Sequence, residues 1–224
     1  MSKKKKKNSN YKAEGIIPEG KTSGIDINKI KPIIIWSAVG IILLAIIIAL
    51  VVAFLPKSNY VEIDFGEYGK IVVELDRDEA PITCDNFTKL VERGFYNGLT
   101  IFRAQENFVI QGGRNESVSL APIKGEFAKN GVDNDISHTR GVISMARSDE
   151  LNSATSQFFI TLDDSAKKSL DGLYAGFGYV IEGMDVVDAI ANELLKCPSN
   201  SMGFVSESDA IKIVSAKMIN YDKK

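Results

Sequence analysis

The chain has 224 residues, with 27 basic and 29 acidic side chains, two cysteines and one histidine. Two cysteines without a CxxC motif do not make a disulfide framework, and a single histidine, His138, excludes a clustered Cys/His metal site. The formal net charge of −2 hides a division: residues 1–32 carry nine lysines against three acids, residues 33–56 carry no charge, and the other 18 of 27 bases face the other 26 of 29 acids. A basic tail of +6 therefore precedes an acidic domain of −8.

Residues 1–32 are polar and lack periodicity, and are read as a flexible basic tail. The block "IIIWSAVGIILLAIIIALVVAFL", Ile33 to Leu55, is 23 residues long and apolar on every face. As a helix it would span roughly 35 Å, against a hydrocarbon core of about 30 Å. It is predicted to be a single transmembrane helix in contact with membrane lipid. The alternative is a signal peptide cut after Val51-Val52-Ala53, but h-regions run about 7–15 residues, and here more than about 30 residues precede the apolar stretch. Lys29, Lys31 and the Lys3–Lys7 run lie on the N-terminal side, and only Lys57 lies close on the other. That asymmetry predicts a cytoplasmic N-terminus and an extracytoplasmic domain at the cell membrane. Trp36 falls near the cytoplasmic interface. The "KKKKK" run beside such a span is read as an orientation signal that attracts anionic lipid, with no nucleic-acid partner.

Pro56–Asn59 reads as a linker, and residues 60–222 as one domain. "YVEIDF" and "KIVVELD" alternate apolar and charged residues around the turn "GEYG", the pattern of a hairpin. "DEAPITCDNFTKLVERGFYNG" predicts a helix capped by the Thr83 hydroxyl, with Phe87, Leu90 and Val91 on one face and Gly94 closing it. Strands are predicted at 100–104 and 108–112, then in "GVISMA", "SQFFITL" and "GFGYVIEG". "MDVVDAIANELLK" is a second amphipathic helix, and "DAIKIVSAKMI" a last strand. Seven or eight hairpin-connected strands with two helices imply a mainly β, closed or nearly closed antiparallel barrel with helices at its ends.

Familiar catalytic constellations are weak. His138, in "ISHTRG", would have to serve any Ser-His-Asp triad, and a hydrogen-bonded structural histidine is the better reading. "QGGRN" has neither a GxGxxG nor a GKT pattern, so Gly112 and Gly113 are read as a tight turn or a close backbone approach. The pairs Asp163-Asp164 and Asp149-Glu150 are read as solvated surface charge. What remains is a set of side chains spread over separate strands: Arg103, Phe108, Val109, Gln111, Ala146, Gln157, Phe159 and Leu170. Strand alternation alone puts Phe108 with Ile110, on the face opposite Val109 and Gln111.

The segments "IFRAQENFVIQGG", "IKGEF", "GVISMA", "SQFFITL" and "LDGLYAGFGYVIEGMDVVDAI" resemble, in order and spacing, the cyclophilin family of peptidyl-prolyl cis/trans isomerases. The resemblance covers about residues 60–220. It implies a closed eight-stranded antiparallel barrel capped by two helices, and a cofactor-free, monomeric isomerase acting on proline-containing polypeptides, such as exported proteins. It further implies that Arg103 is the catalytic arginine, with Phe108 and Gln111 as its companions. Val109, Phe159 and Leu170 would line the proline pocket, with Ala146, Arg147 and Gln157 at the neighbouring subsite. Phe102 and Tyr174 would also contact the substrate: Phe102 stands where the family's best-known members have histidine, Tyr174 where they have a second pocket histidine, Ser169 where they have tryptophan and Arg147 where they have asparagine. Phe102 and Tyr174 resemble bacterial-type members; Ser169 lowers the expected cyclosporin affinity, and Arg147 adds a charge to the subsite. Cys84 and Cys197 would lie near different helices in that fold, which implies free thiols. The alternative function is a proline-peptide-binding or scaffolding module with little turnover. A small-molecule-binding barrel would need an open interior, which the bulky strand residues disfavour. Whether the outside is a bacterial surface or a eukaryotic lumen stays open; the sequons at Asn86 and Asn115 matter only in the latter.

Overall fold

The computed structural model describes residues 40–48 and 58–222. The chain divides into two compact units, Met1–Pro56 and Lys57–Lys224. In the first unit, residues 40–48 are helical with exposed side chains; the rest of the predicted span Ile33–Leu55, like the basic tail, lies outside the described residues. Among the described residues no helix is long and apolar enough to cross a membrane.

The second unit is a curled antiparallel sheet with helices. Its strands are β1 (Tyr60–Asp64), β2 (Lys70–Leu75), β3 (Thr100–Gln105), β4 (Val109–Gly112), β5 (Val142–Met145), β6 (Phe158–Thr161), β7 (Ala175–Glu182), β8 (Ile211–Lys212) and β9 (Ser215–Ile219). They lie in the order β8-β3-β4-β6-β5-β7-β2-β1-β9. The expected eight-stranded closed barrel is corrected in two ways. Among the described residues there are nine strands, because the predicted last strand breaks after Lys212, and no β8–β9 ladder closes the ring. The reason is that β8 and β9 are consecutive pieces of one segment. β8 pairs with β3, β9 pairs with β1, and between them Ile213 exchanges backbone bonds with Gly98 and Leu99 while Val214 donates to Asp64. One chain cannot pair with itself edge to edge while it runs from one edge to the other.

Among the described residues three α-helices accompany the sheet where two were expected: α1 (Pro81–Glu92), the short α2 (Lys167–Leu170) and α3 (Met184–Lys196). The α3 face Val187, Ile190, Ala191 and Leu194 is buried, as its 3–4 spacing dictates. The start of α1 differs from expectation. Its N-cap is Ala80, with Pro81 in the first turn, and no side chain of the helix caps it. The orphan N–H groups are met from 43 residues away: Glu126 accepts from the Thr83 N–H at 2.8 Å and its hydroxyl at 2.7 Å, and from the Ile82 N–H at 3.0 Å. A carboxylate there also suits the positive end of the helix dipole.

The core centres on Phe87 of α1, whose ring meets Tyr96, Phe158 and Phe177 at 5.0–5.7 Å between centroids. Both cysteines are free thiols. Cys84 is fully buried, shares its Sγ–H with the carbonyls of Asp76 and Phe177, and burial pushes its pKa up to about 12. The two glycines of "QGG" have a packing reason. A Cβ on Gly112 would stand 2.7 Å from the Thr100 carbonyl, and one on Gly113, at φ +80°, 2.9 Å from that of Ser156.

Candidate active site

Cross-strand register builds the site. Arg103 of β3 pairs with Gln111 of β4, Gln111 with Phe159 of β6, and Phe159 with Ser144 of β5. Directly paired residues share a face, so these four form one row across the outside of the sheet. Val109 stands two residues before Gln111, and Gln157 two before Phe159, on the same face. The α2 helix then covers part of this face: Leu170 and Ala166 pack with Val109 and Phe159 into a small cluster, joined by Phe108, Ala146 and Tyr174. Tyr174 meets Phe159 edge-on at 5.6 Å.

The result is a cleft of about 280 Å³ with an apolar floor and Arg103 at its side. Arg103 is half-buried, and burial pulls its pKa down from the ordinary arginine value, yet an arginine keeps its proton at physiological pH. Three of its N–H groups are fixed. Nε donates to the Met202 carbonyl at 2.8 Å, one terminal nitrogen to Gln111 Oε1 at 2.8 Å, and the other to Gln105 Oε1 at 2.5 Å. Gln111 is held in turn by its donation to Gln157 Oε1 at 3.1 Å. Of the five guanidinium N–H groups, two are left for a ligand. The Phe204 ring lies 5.3 Å from the guanidinium carbon.

Nine of the eleven residues named from sequence line this cleft. Gln157 acts on it through Gln111. Phe102 lies elsewhere: a register shift between Ile101 and Arg103 accompanies its turn away, and it is buried between the Phe204 ring, stacked at 5.9 Å, and Arg114 at 4.5 Å. Phe108 does enter the cleft, against strand alternation. β4 begins only at Val109, and Asn107 adopts φ 54°, so the period of two does not reach back to Phe108. Ser169 is exposed and lies outside the cleft lining. Arg147 lines the cleft but is folded back, donating to the carbonyls of Leu173, Ser148 and Asp149.

Two contributors were missed. Met202 and Phe204 come from a loop after α3 that strand and helix patterns pass over. The available signal was Asn200 followed by Gly203. Asn200 Oδ1 accepts from the N–H groups of Met202 and Phe204, and Gly203, at φ +80°, lets the loop approach β3. A Cβ there would stand 2.1 Å from the Ala104 carbonyl.

Behind Phe159, His138 contacts Asp171 Oδ1 through Nδ1 at 2.9 Å and Ser144 Oγ through Nε2 at 3.0 Å. This is the bonding order of a hydrolytic triad. However, Ser144 and His138 are 0% exposed, so no substrate carbonyl reaches the hydroxyl. Burial lowers the His138 pKa, with Asp171 opposing. The neutral ring therefore donates from Nδ1 and accepts the Ser144 hydroxyl at Nε2. Its ring stacks on Phe159 at 6.0 Å, which makes it a support for the cleft floor. Among the described residues no group of three or more potential ligands could hold a metal ion.

The family profile described as "Cyclophilin type peptidyl-prolyl cis-trans isomerase/CLD" matches residues 60–218. A peptidyl-prolyl cis-trans isomerase of Acinetobacter baylyi is 42% identical over 160 residues, covering 67% of this chain and 80% of the relative. Peptidyl-prolyl cis-trans isomerase B of Escherichia coli is 40% identical over 129 residues, covering 55% and 79%. The crystal structure of a Cryptosporidium parvum cyclophilin type isomerase, solved in the presence of the dipeptide Ala-Pro, superposes with a TM-score of 0.59 at 26% identity, covering 72% of this chain and 99% of that one. The chain belongs to the cyclophilin-type peptidyl-prolyl cis-trans isomerases.

Proposed function

We propose that the cleft isomerises X–Pro bonds with Arg103 as the catalytic group, and that it does so on exported proteins, from an extracytoplasmic domain anchored by Ile33–Leu55 with the N-terminus in the cytoplasm. The observation that carries the mechanism is the guanidinium held on three sides with two N–H groups left over, beside an apolar cup.

Rotation about X–Pro is slow because the amide C–N bond has double-bond character, with a barrier of about 18–20 kcal/mol. No bond to a heavy atom is made or broken, so no nucleophile or metal is needed. Catalysis requires tighter binding of the twisted amide than of either planar form. Twisting pyramidalises the imide nitrogen and restores a lone pair on it. A fixed, charged donor aimed at that lone pair stabilises the twisted state and needs no reorganisation when the bond turns. Phe108, Val109, Phe159 and Leu170 hold the pyrrolidine ring while the preceding residue rotates. Gln111 and Gln105 hold the donor in place. The Ala-Pro dipeptide used with the Cryptosporidium parvum relative supports a proline-containing ligand for this cleft.

The test is cis/trans exchange of an X–Pro peptide, followed by NMR with the full chain and its Arg103→Ala variant. Loss of 10²–10³ in rate is expected, on the order of 2.7–4 kcal/mol of transition-state stabilisation. Unchanged exchange would remove Arg103 from the mechanism. For placement, protease added to intact cells is expected to digest residues 57–224 and spare the tail. Protection of the domain would overturn the proposed orientation.

A further inference from the structure

The cleft is lined by two charged side chains, and both are arginines, Arg103 and Arg147. Elsewhere in the domain Arg77, Arg114 and Arg140 each pair with a carboxylate. Among the described residues neither cleft arginine has an ion-pair partner, although the domain carries 26 acids against 18 bases. Arg147 is tied down by neutral groups only. Its Nε and one terminal nitrogen donate to the Leu173 carbonyl at 3.0 and 2.9 Å, and the other terminal nitrogen donates to the carbonyls of Ser148 and Asp149 at 2.8 and 3.3 Å. The rings of Phe127 and Tyr174 lie 5.1 and 4.8 Å from its guanidinium carbon. Carbonyls satisfy its hydrogen bonds and leave its charge uncompensated. Because the side chain is already immobilised, a ligand meets that charge without first having to order it. Asp149 and Glu150 follow in the same loop, but they are exposed and Arg147 engages only the Asp149 backbone.

Topology gives the spacing. Arg103 is on β3, and Arg147 lies two residues beyond the end of β5, with β4 and β6 between these strands. Three strand spacings are about 14 Å, or about four residues of extended peptide. The apolar cup, on β4 and β6, lies between the two arginines. A peptide whose proline fills the cup therefore brings its second or third neighbour to Arg147.

We propose that Arg147 is a specificity-determining residue that makes the cleft select prolines with an acidic side chain two or three residues away. The proposal rests on the reading of this cleft as the peptide site. The domain's net charge of −8 disfavours acidic peptides on average, so a fixed cation in the cleft sharpens the choice.

The experiment measures the affinity of the full chain for fluorescent proline pentapeptides by anisotropy. The peptides carry Glu, Gln or Lys at the second or the third residue before or after the proline. The wild type is expected to bind the Glu peptide about 3- to 5-fold tighter than the Gln peptide on one of the two sides, and the Lys peptide more weakly than either. High salt is expected to shrink that ratio. Arg147→Gln is expected to bring the Glu:Gln ratio close to one, while Arg147→Lys, which keeps the charge, retains most of it. Equal affinities in the wild type, a ratio insensitive to salt, or a ratio unchanged in Arg147→Gln would each overturn the proposal. Isomerisation of the same peptides is followed in parallel. A retained charge preference without turnover would sink the catalytic role of Arg103 and leave Arg147 as the selector.

Discussion

The strands β4, β6 and β5 carry two hydrophobic clusters, one on each face, made from alternate residues of the same short segments. Facing inward, Ile110, Ile143, Met145, Phe158 and Ile160 join the large core around Phe87. Facing outward, Val109 and Phe159 join Ala166 and Leu170. The chemistry of the two sets is similar; what differs is the cover. The inner face is enclosed by the curled sheet and by α1 and α3. The outer face is covered only by the four-residue α2 and by loops, and the part left open is the cleft. Burying the first set makes the domain stable, and burying the second incompletely leaves apolar surface for a proline ring.

Four substitutions or conditions would break or sharpen that contrast. The largest effect is expected inside: Phe87→Ala should cost about 3–5 kcal/mol of stability in urea titration, because it removes the ring that Tyr96, Phe158 and Phe177 pack against. An intact midpoint would mean that the core is centred elsewhere. Phe159→Ala, outside, should cost less stability, about 2 kcal/mol, because its site can be refilled by water from the cleft, but it should raise KM for X–Pro peptides more than tenfold. Equal stability losses at the two positions would erase the distinction between the faces. Phe204→Ala removes a ring beside Arg103 that accepts no hydrogen bond, and is expected to lower kcat/KM about two- to five-fold, in line with a cation–π contact of about 0.5–1 kcal/mol. No change would leave the Met202 carbonyl as the loop's sole hold on the guanidinium. The smallest effect is in pH. Burial holds the folded-state pKa of His138 below 6.5, so below that value the unfolded chain binds the proton more readily. The stability gained by keeping His138 neutral is complete above pH 6.5 and is lost as pH falls below it. Urea midpoints between pH 7.5 and 5 should show this slope in the wild type and lack it in His138→Asn.

Much of the contrast was legible in the sequence, because a period of two is a local signal. "FVIQGG" and "SQFFITL" show which residues alternate, and a polar pair on such strands marks the face that is not core. Alternation alone misplaces Phe108, where the strand has not yet begun, and the family resemblance puts it in the cleft. Local patterns also miss what comes from far along the chain. Glu126 caps a helix 43 residues upstream, a pairing that no local pattern announces. Met202 supplies its carbonyl from 99 residues beyond Arg103, and a backbone oxygen has no signature in the amino-acid code. Arg147 was visible as a charge, but only the fold tells that its hydrogen bonds go to carbonyls and its charge goes unanswered.

The segment from Ile211 to Ile219 has a consequence for synthesis. β1 is among the first parts of the domain to leave the ribosome, and its partner β9 is the last. β3 likewise waits for β8. Until Ile211–Ile219 has been made, both strands expose bare edges, the kind of surface on which nascent chains join one another. The slow, long-range pairing that completes this fold falls to the nine residues Ile211–Ile219, and a domain without them has nearly the whole sheet and none of the piece that joins its two edges.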